Sequence, residues 1–138
     1  MQNLQPPFLV VRHGQSIWVE TRAPRDCATT LQAFQSGCLS ETWWYDAAGG
    51  AWPVVEAKLK DRPSLVDRVL PWRRVAVELH FGPRAEANVS EVLSRIGEVL
   101  HSDNEFCAHL KTSVADLWAQ FSNARTTADL IAVASRHL

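Results

Sequence analysis

The hydrophobic pattern of this chain changes its period once, at Gly82-Pro83, and that change limits the folds open to it. Before this point apolar and polar residues alternate, as on half-buried strands, most clearly over 73–81. After it apolar residues recur every three or four positions, as on amphipathic helices. Strands followed by helices are typical of an α+β domain. We therefore expect a single α+β domain over 1–138, in which an antiparallel sheet of about five strands (8–82) is covered by helices (88–138).

Two hairpins supply most of the predicted sheet. The first joins 8–12 to 17–21, and the second joins 42–45 to 51–59 through a glycine-containing turn. Pro53 has no amide hydrogen to donate, so we expect it on an edge strand or among the first residues of a strand.

Short helices are predicted from residues that cap helix N-termini. In the strand half, one helix is expected to start at Asp26 and end near Gly37, and one helical turn to start at Ser64. In the helical half, four residues are each followed three positions later by an acidic residue, which is the pattern of a capping box. These residues are Asn88, Ser102, Ser113 and Thr126.

Composition favours a cytoplasmic protein with no membrane, metal or cofactor role. The longest apolar run, 8–11, is far shorter than a membrane span, and 1–7 lacks the features of a secretory signal. Cys27, Cys38 and Cys107 show neither disulfide nor zinc-ligand spacing, so we interpret them as free thiols. Arginine outnumbers lysine 11 to 3, which indicates a bacterial source.

The charge and the tryptophans are unevenly distributed. Residues 51–84 hold seven basic and four acidic side chains, whereas 85–138 hold four and seven, and the whole chain carries a net charge of -1. Neighbouring strand residues point to opposite faces, so only one of Trp43 and Trp44 can enter a given core face. Tryptophan, tyrosine and arginine dominate protein interfaces. The predicted binding residues are therefore Trp44, Tyr45, Trp52, Trp72, Arg73 and Arg74.

One short motif carries possible chemistry. Residues 9–18, Leu-Val-Val-Arg-His-Gly-Gln-Ser-Ile-Trp, resemble the opening of the histidine phosphatase (phosphoglycerate mutase-like) family. The resemblance implies that His13 accepts a phosphoryl group and that Arg12 holds the phosphate. It covers about ten residues. That family also needs a second histidine, usually followed by glycine, and His13 is the only histidine here that precedes a glycine.

These observations lead to one functional expectation and two alternatives. We expect a non-enzymatic domain that binds another protein, of the adaptor or toxin-neutralising (immunity) type, and that forms homo-oligomers through its sheet. The first alternative is phosphoryl transfer by His13 and Arg12. The second is single-stranded nucleic-acid binding through the tryptophan and arginine residues, which ranks third because the local basic excess is small.

Overall fold

The structure is a computed structural model that describes residues 4–37, 39–70 and 72–138, so the predicted thiol Cys38 lies outside the described residues. The strands are β1 (Phe8–Arg12), β2 (Ser16–Glu20), β3 (Ala28–Thr30), β4 (Thr42–Asp46), β5 (Gly50–Leu59), β6 (Arg74–Phe81) and β7 (Ala85–Glu86). The α-helices are α1 (Leu31–Gln35), α2 (Leu65–Val69), α3 (Val89–Leu100), α4 (Glu105–Ala108), α5 (Val114–Ser122) and α6 (Thr127–His137). A 3-10 turn spans Pro24–Asp26.

The strands form one antiparallel sheet in the order β2-β1-β4-β5-β6-β3, with β7 paired to β5. The α+β class is therefore confirmed. The prediction of about five strands was too low, because β3 and β7 are only three and two residues long. Strands this short are fixed by their partners in the sheet and leave little pattern in the sequence.

Both predicted hairpins are present. Arg12 pairs with Ser16 across the first turn, and Tyr45 pairs with Ala51 across the second. Pro53, however, lies inside β5, which has neighbours on both sides. Its carbonyl oxygen accepts a hydrogen bond from the Gly82 amide at 2.8 Å. In a strand, the amide and the carbonyl of one residue point to the same side. Pro53 therefore lacks its amide hydrogen on the side of β5 where the neighbouring strand changes from β7 to β6.

Strand β1 is buried on both faces and separates two apolar clusters. Leu9 and Val11 belong to the larger cluster, which also includes residues of α3, α5 and α6. Phe8 and Val10 belong to the second cluster, on the opposite face, together with Trp44. The C-terminal helices thus pack on β1, β2 and β4, so the prediction that they cover the sheet holds for that part of it.

Helix starts agree with the sequence at some positions and not at others. Ser64, Ser113 and Thr126 are N-caps as expected. The helix expected at Asp26 begins only after Thr30, because 28–30 pair with β6 as β3. Of the four capping boxes that the sequence suggested, the one at Thr126 is complete. At α5 the Ser113 side chain accepts from the Asp116 amide but the box is not formed, and the starts of α3 and α4 also differ from the prediction.

Asn88 does cap α3, but its side chain accepts a hydrogen bond from the Ser90 amide alone. Helix α4 is capped by Asn104 instead of Ser102. The Asn104 side chain accepts from the Cys107 amide at 2.8 Å and donates to the Val99 carbonyl at 2.8 Å, so it ties α4 to the end of α3.

Within residues 4–37, 39–70 and 72–138, every helix is too short or too polar to cross a membrane.

Candidate functional site

The structure divides the six predicted binding residues into two groups. Trp44, Tyr45 and Trp52 are core residues with at most 5% of their surface exposed. Trp72, in contrast, is 63% exposed, and Arg73 and Arg74 are exposed beside it. The structure therefore does not bring the six side chains together on one surface.

The buried group is held by polar contacts as well as packing. The Trp52 indole donates a hydrogen bond to the Asp46 carboxylate at 2.9 Å, and the Arg95 guanidinium donates to the Tyr45 hydroxyl at 2.7 Å. Burial raises the pKa of Tyr45 above its ordinary value, and Arg95 partly offsets this effect. Trp44 packs against Phe8 and Phe81. Of the adjacent tryptophans, Trp44 is thus the buried one.

The exposed group lies in the segment between β5 and β6, residues 60–73, which we call the β5–β6 connector. Its helix α2 has no buried residue. Four large apolar side chains are exposed here, although Leu, Val and Trp are usually at least partly covered. They form what we call the apolar patch: Leu65, Val66, Val69 and Trp72. Only two other large hydrophobic side chains among the described residues, Val55 and Leu138, are exposed in this way.

Local hydrogen bonds shape the connector even though no core packing does. The side chains and amides of Ser64 and Asp67 form a reciprocal capping box at the start of α2. These bonds lower the pKa of Asp67 below its ordinary value. At the base of the connector, the Lys60 amide donates to the Ala76 carbonyl at 3.1 Å. Three members of the apolar patch therefore lie on a capped turn of helix, and Trp72 lies just beyond its end.

Basic residues are neighbours of the apolar patch in the sequence. Arg73 lies 3.9 Å from the Asp67 carboxylate, and Arg74 donates to the Ala28 carbonyl at 2.6 Å, which ties β6 to β3. The guanidinium groups of Arg62 and Arg68 have no hydrogen-bond or ion-pair partner among the described residues. The connector thus combines exposed apolar surface with positive charge that other parts of the fold do not neutralise.

The phosphatase-like motif does not lie in the β5–β6 connector but in the first hairpin of the sheet. His13 is in the turn between β1 and β2, and its side chain is 66% exposed. Its Nδ1 lies 3.2 Å from a carboxylate oxygen of Glu98, and its amide donates to the Glu41 carbonyl at 3.1 Å. The cleft of about 550 Å³ beside it is lined by His13, Glu41, Trp43, Glu91, Ser94, Arg95 and Glu98.

This cleft is poorly suited to phosphate. Three carboxylates line it against one arginine, and Arg95 is already bonded to Tyr45 and lies 4.1 Å over the Trp43 ring. Arg12 does not line the cleft, and His13 is the only histidine that does. A phosphoryl group needs several converging cations. In the structure the motif spans β1, the following turn and β2, and Gly14 takes the positive φ of 64° in that turn.

Other reactive groups do not form a centre either. Among the described residues, no group of three or more His, Cys, Asp or Glu side chains is arranged to hold a metal ion. Burial raises the pKa of the Cys107 thiol, which disfavours the reactive thiolate.

Sequence analysis missed three members of the apolar patch, Leu65, Val66 and Val69. Apolar residues at this spacing ordinarily predict a helix face that packs on a core. The sequence nevertheless contains one indication that this helix is exposed. Pro63 and Pro71 lie on either side of it, and the helix between them is too short to pack back against the sheet.

Comparisons with known protein families, with curated proteins and with solved structures found no match.

Proposed function

We propose that this chain is a protein-binding domain of bacterial, cytoplasmic origin, of the adaptor or immunity type, and that the β5–β6 connector is its contact element. The observation that carries the proposal is the apolar patch: four of the six exposed large hydrophobic side chains of the described residues fall within 65–72. Isolated exposed hydrophobic residues are common, but contiguous ones mark interaction sites.

The charges around the patch define the chemistry of the partner. Arg62, Arg68 and Arg73 lie in the connector, beside Arg74 at the start of β6. An apolar centre with a basic rim complements an apolar groove bordered by acidic side chains. The partner we propose is therefore an acidic protein surface with such a groove, into which Trp72 inserts as the anchor.

A photo-crosslinking experiment tests this assignment. A photoreactive phenylalanine analogue at position 65 should form a covalent adduct with one protein in cells, and the same analogue at Val55, an exposed site outside the patch, should not. The captured protein is then purified and titrated against the unmodified chain. Trp72→Ala and Arg68→Glu should each weaken binding at least tenfold, which is about 1.4 kcal/mol. Val55→Thr and Lys111→Glu serve as matched controls.

Several results would contradict the proposal. These are the absence of a patch-specific adduct, equal binding by the Trp72→Ala variant, and Trp72-dependent binding to phosphatidylserine vesicles or to an oligothymidine strand instead of a protein. A dimer in sedimentation that dissociates on Trp72→Ala would replace the external partner with a second copy of the chain.

A further inference from the structure

A second cavity, separate from the cleft beside His13, opens at the outer edge of β6. Its volume is about 620 Å³, and it lies between residues 4–6, residues 23–25 and the second half of β6. Pockets that hold small organic ligands have volumes of about 300–1,000 Å³. The cavity is therefore large enough for such a ligand.

The cavity exists because β3 covers only part of β6. Strand β3 pairs with 74–76, and the Val77 amide donates to the Cys27 carbonyl at 3.1 Å, where the pairing ends. Leu79 and Phe81 continue β6 beyond this point, and both line the cavity. On the far side of β6, residues 77–81 all pair with β5, with one register shift between Val54 and Glu56. The opening thus lies at an edge of β6 that has no neighbouring strand among the described residues.

The floor of the cavity is apolar. Leu4, Leu79 and Phe81 line it, and all three pack against the second apolar cluster, which includes Trp44. Pro6 and Pro24 add further apolar surface. A ligand with a hydrocarbon body would therefore continue the packing of the core and remove apolar surface from water.

The rim carries a positive charge. Arg25 and Lys60 both line the cavity, and the Lys60 ammonium donates a hydrogen bond to the Arg25 carbonyl, which keeps the two residues together. Glu78 is the one carboxylate in the lining, and it lies 3.3 Å from Nε2 of His80. Arg25 is 3.9 Å from the exposed Asp26 carboxylate, a distance at which the attraction is weak. Two cations therefore face one carboxylate at the mouth.

From this combination we infer that the cavity binds a small amphiphilic carboxylate, with its apolar body on Leu79 and Phe81 and its charged head at Arg25 and Lys60. The site shares Lys60 with the base of the β5–β6 connector, but none of the four residues of the apolar patch lines it. It also differs from the His13 cleft, where carboxylates outnumber the cations.

Titration with decanoate below its micelle concentration tests the assignment, with binding measured by calorimetry. We expect saturable binding of one decanoate per chain, and at least tenfold weaker binding of decylamine, which has the same body and the opposite charge. Acetate, which has the head without the body, should also bind at least tenfold more weakly. These three probes separate the contributions of the apolar floor and the basic rim.

Variants locate the binding at this cavity. Arg25→Ala should weaken decanoate binding at least tenfold, whereas Arg22→Ala, an exposed arginine three residues away that does not line the cavity, should not. Ala23→Phe adds a ring at the mouth and should also weaken binding at least tenfold. Thermal unfolding of each variant without ligand shows that it is folded. Trp72→Ala should leave decanoate binding unchanged, so this test and that of the protein-binding surface fail independently.

The inference is overturned if wild-type protein shows no saturable binding of decanoate, or if several molecules bind per chain as in detergent denaturation. Equal affinity for decylamine would overturn it as well, and so would equal losses in the Arg25→Ala and Arg22→Ala variants.

Discussion

The same truncation should cost very different amounts of stability at two tryptophans of this chain. Trp72 is 63% exposed, and about a third of its surface is covered. Full burial of a large apolar side chain contributes about 1.5–3 kcal/mol, so Trp72→Ala should cost less than about 1 kcal/mol. Trp44 is 1% exposed, and truncation of such a buried aromatic costs about 3–5 kcal/mol.

Urea denaturation followed by far-UV circular dichroism measures both values, and this signal does not depend on the number of tryptophans left. With a slope of about 2 kcal/mol per molar urea, the midpoint should fall by less than about 0.5 M for Trp72→Ala. For Trp44→Ala it should fall by about 1.5–2.5 M. A loss above 2 kcal/mol for Trp72→Ala would refute the reasoning, because the connector would then be part of the core.

Two further predictions concern polar groups. Trp52→Phe should destabilise the fold by about 1–3 kcal/mol more than Trp44→Phe. Trp52→Phe removes a hydrogen-bond donor from the buried Asp46 carboxylate, whereas the Trp44 indole N–H has no partner among the described residues. Equal losses of stability for the two variants in urea denaturation would contradict this prediction. Asp129, in turn, has a pKa that is lowered chiefly by the hydrogen bond from the Arg125 amide and further by hydrogen bonding with Thr126, whose amide also donates to the carboxylate. Its stabilising effect is present above the ordinary value of 3.8 and is lost as the pH falls through the lower folded-state value. The Tm deficit of Asp129→Asn at pH 7 should therefore vanish in acid, and a deficit independent of pH would oppose this explanation.

Regular periodicity made much of the fold predictable. The turn at 13–15, the hairpin over 42–59 and the apolar stripe of α3 each follow from residues that are neighbours in sequence or share one helix face. Strand β3 was not predictable in this way, because 28–30 become a strand only by pairing with 74–76. The pairing of this segment with β6 outweighs the local preference for a helix that the sequence shows from Asp26.

The candidate surface was only half predictable for a related reason. All six residues were predicted to bind a partner, but only Trp72, Arg73 and Arg74 are exposed, whereas Trp44 and Trp52 have similar chemistry and lie in the core. Residue type alone does not distinguish a tryptophan that binds a partner from a tryptophan that packs in the core. The difference lies in position, since β4 and β5 are central strands and the connector lies outside the sheet.

The burial of β1 on both faces has a consequence for synthesis. Its Leu9 and Val11 leave the ribosome before α6, against which they pack, and Leu130 of α6 follows Val11 by roughly 120 residues. At about 5–20 residues per second, this strand waits on the order of 6–24 seconds for its last covering helix. Throughout that time an uncharged apolar run is open to other nascent chains, so the yield of folded protein should depend on translation speed and chaperone supply.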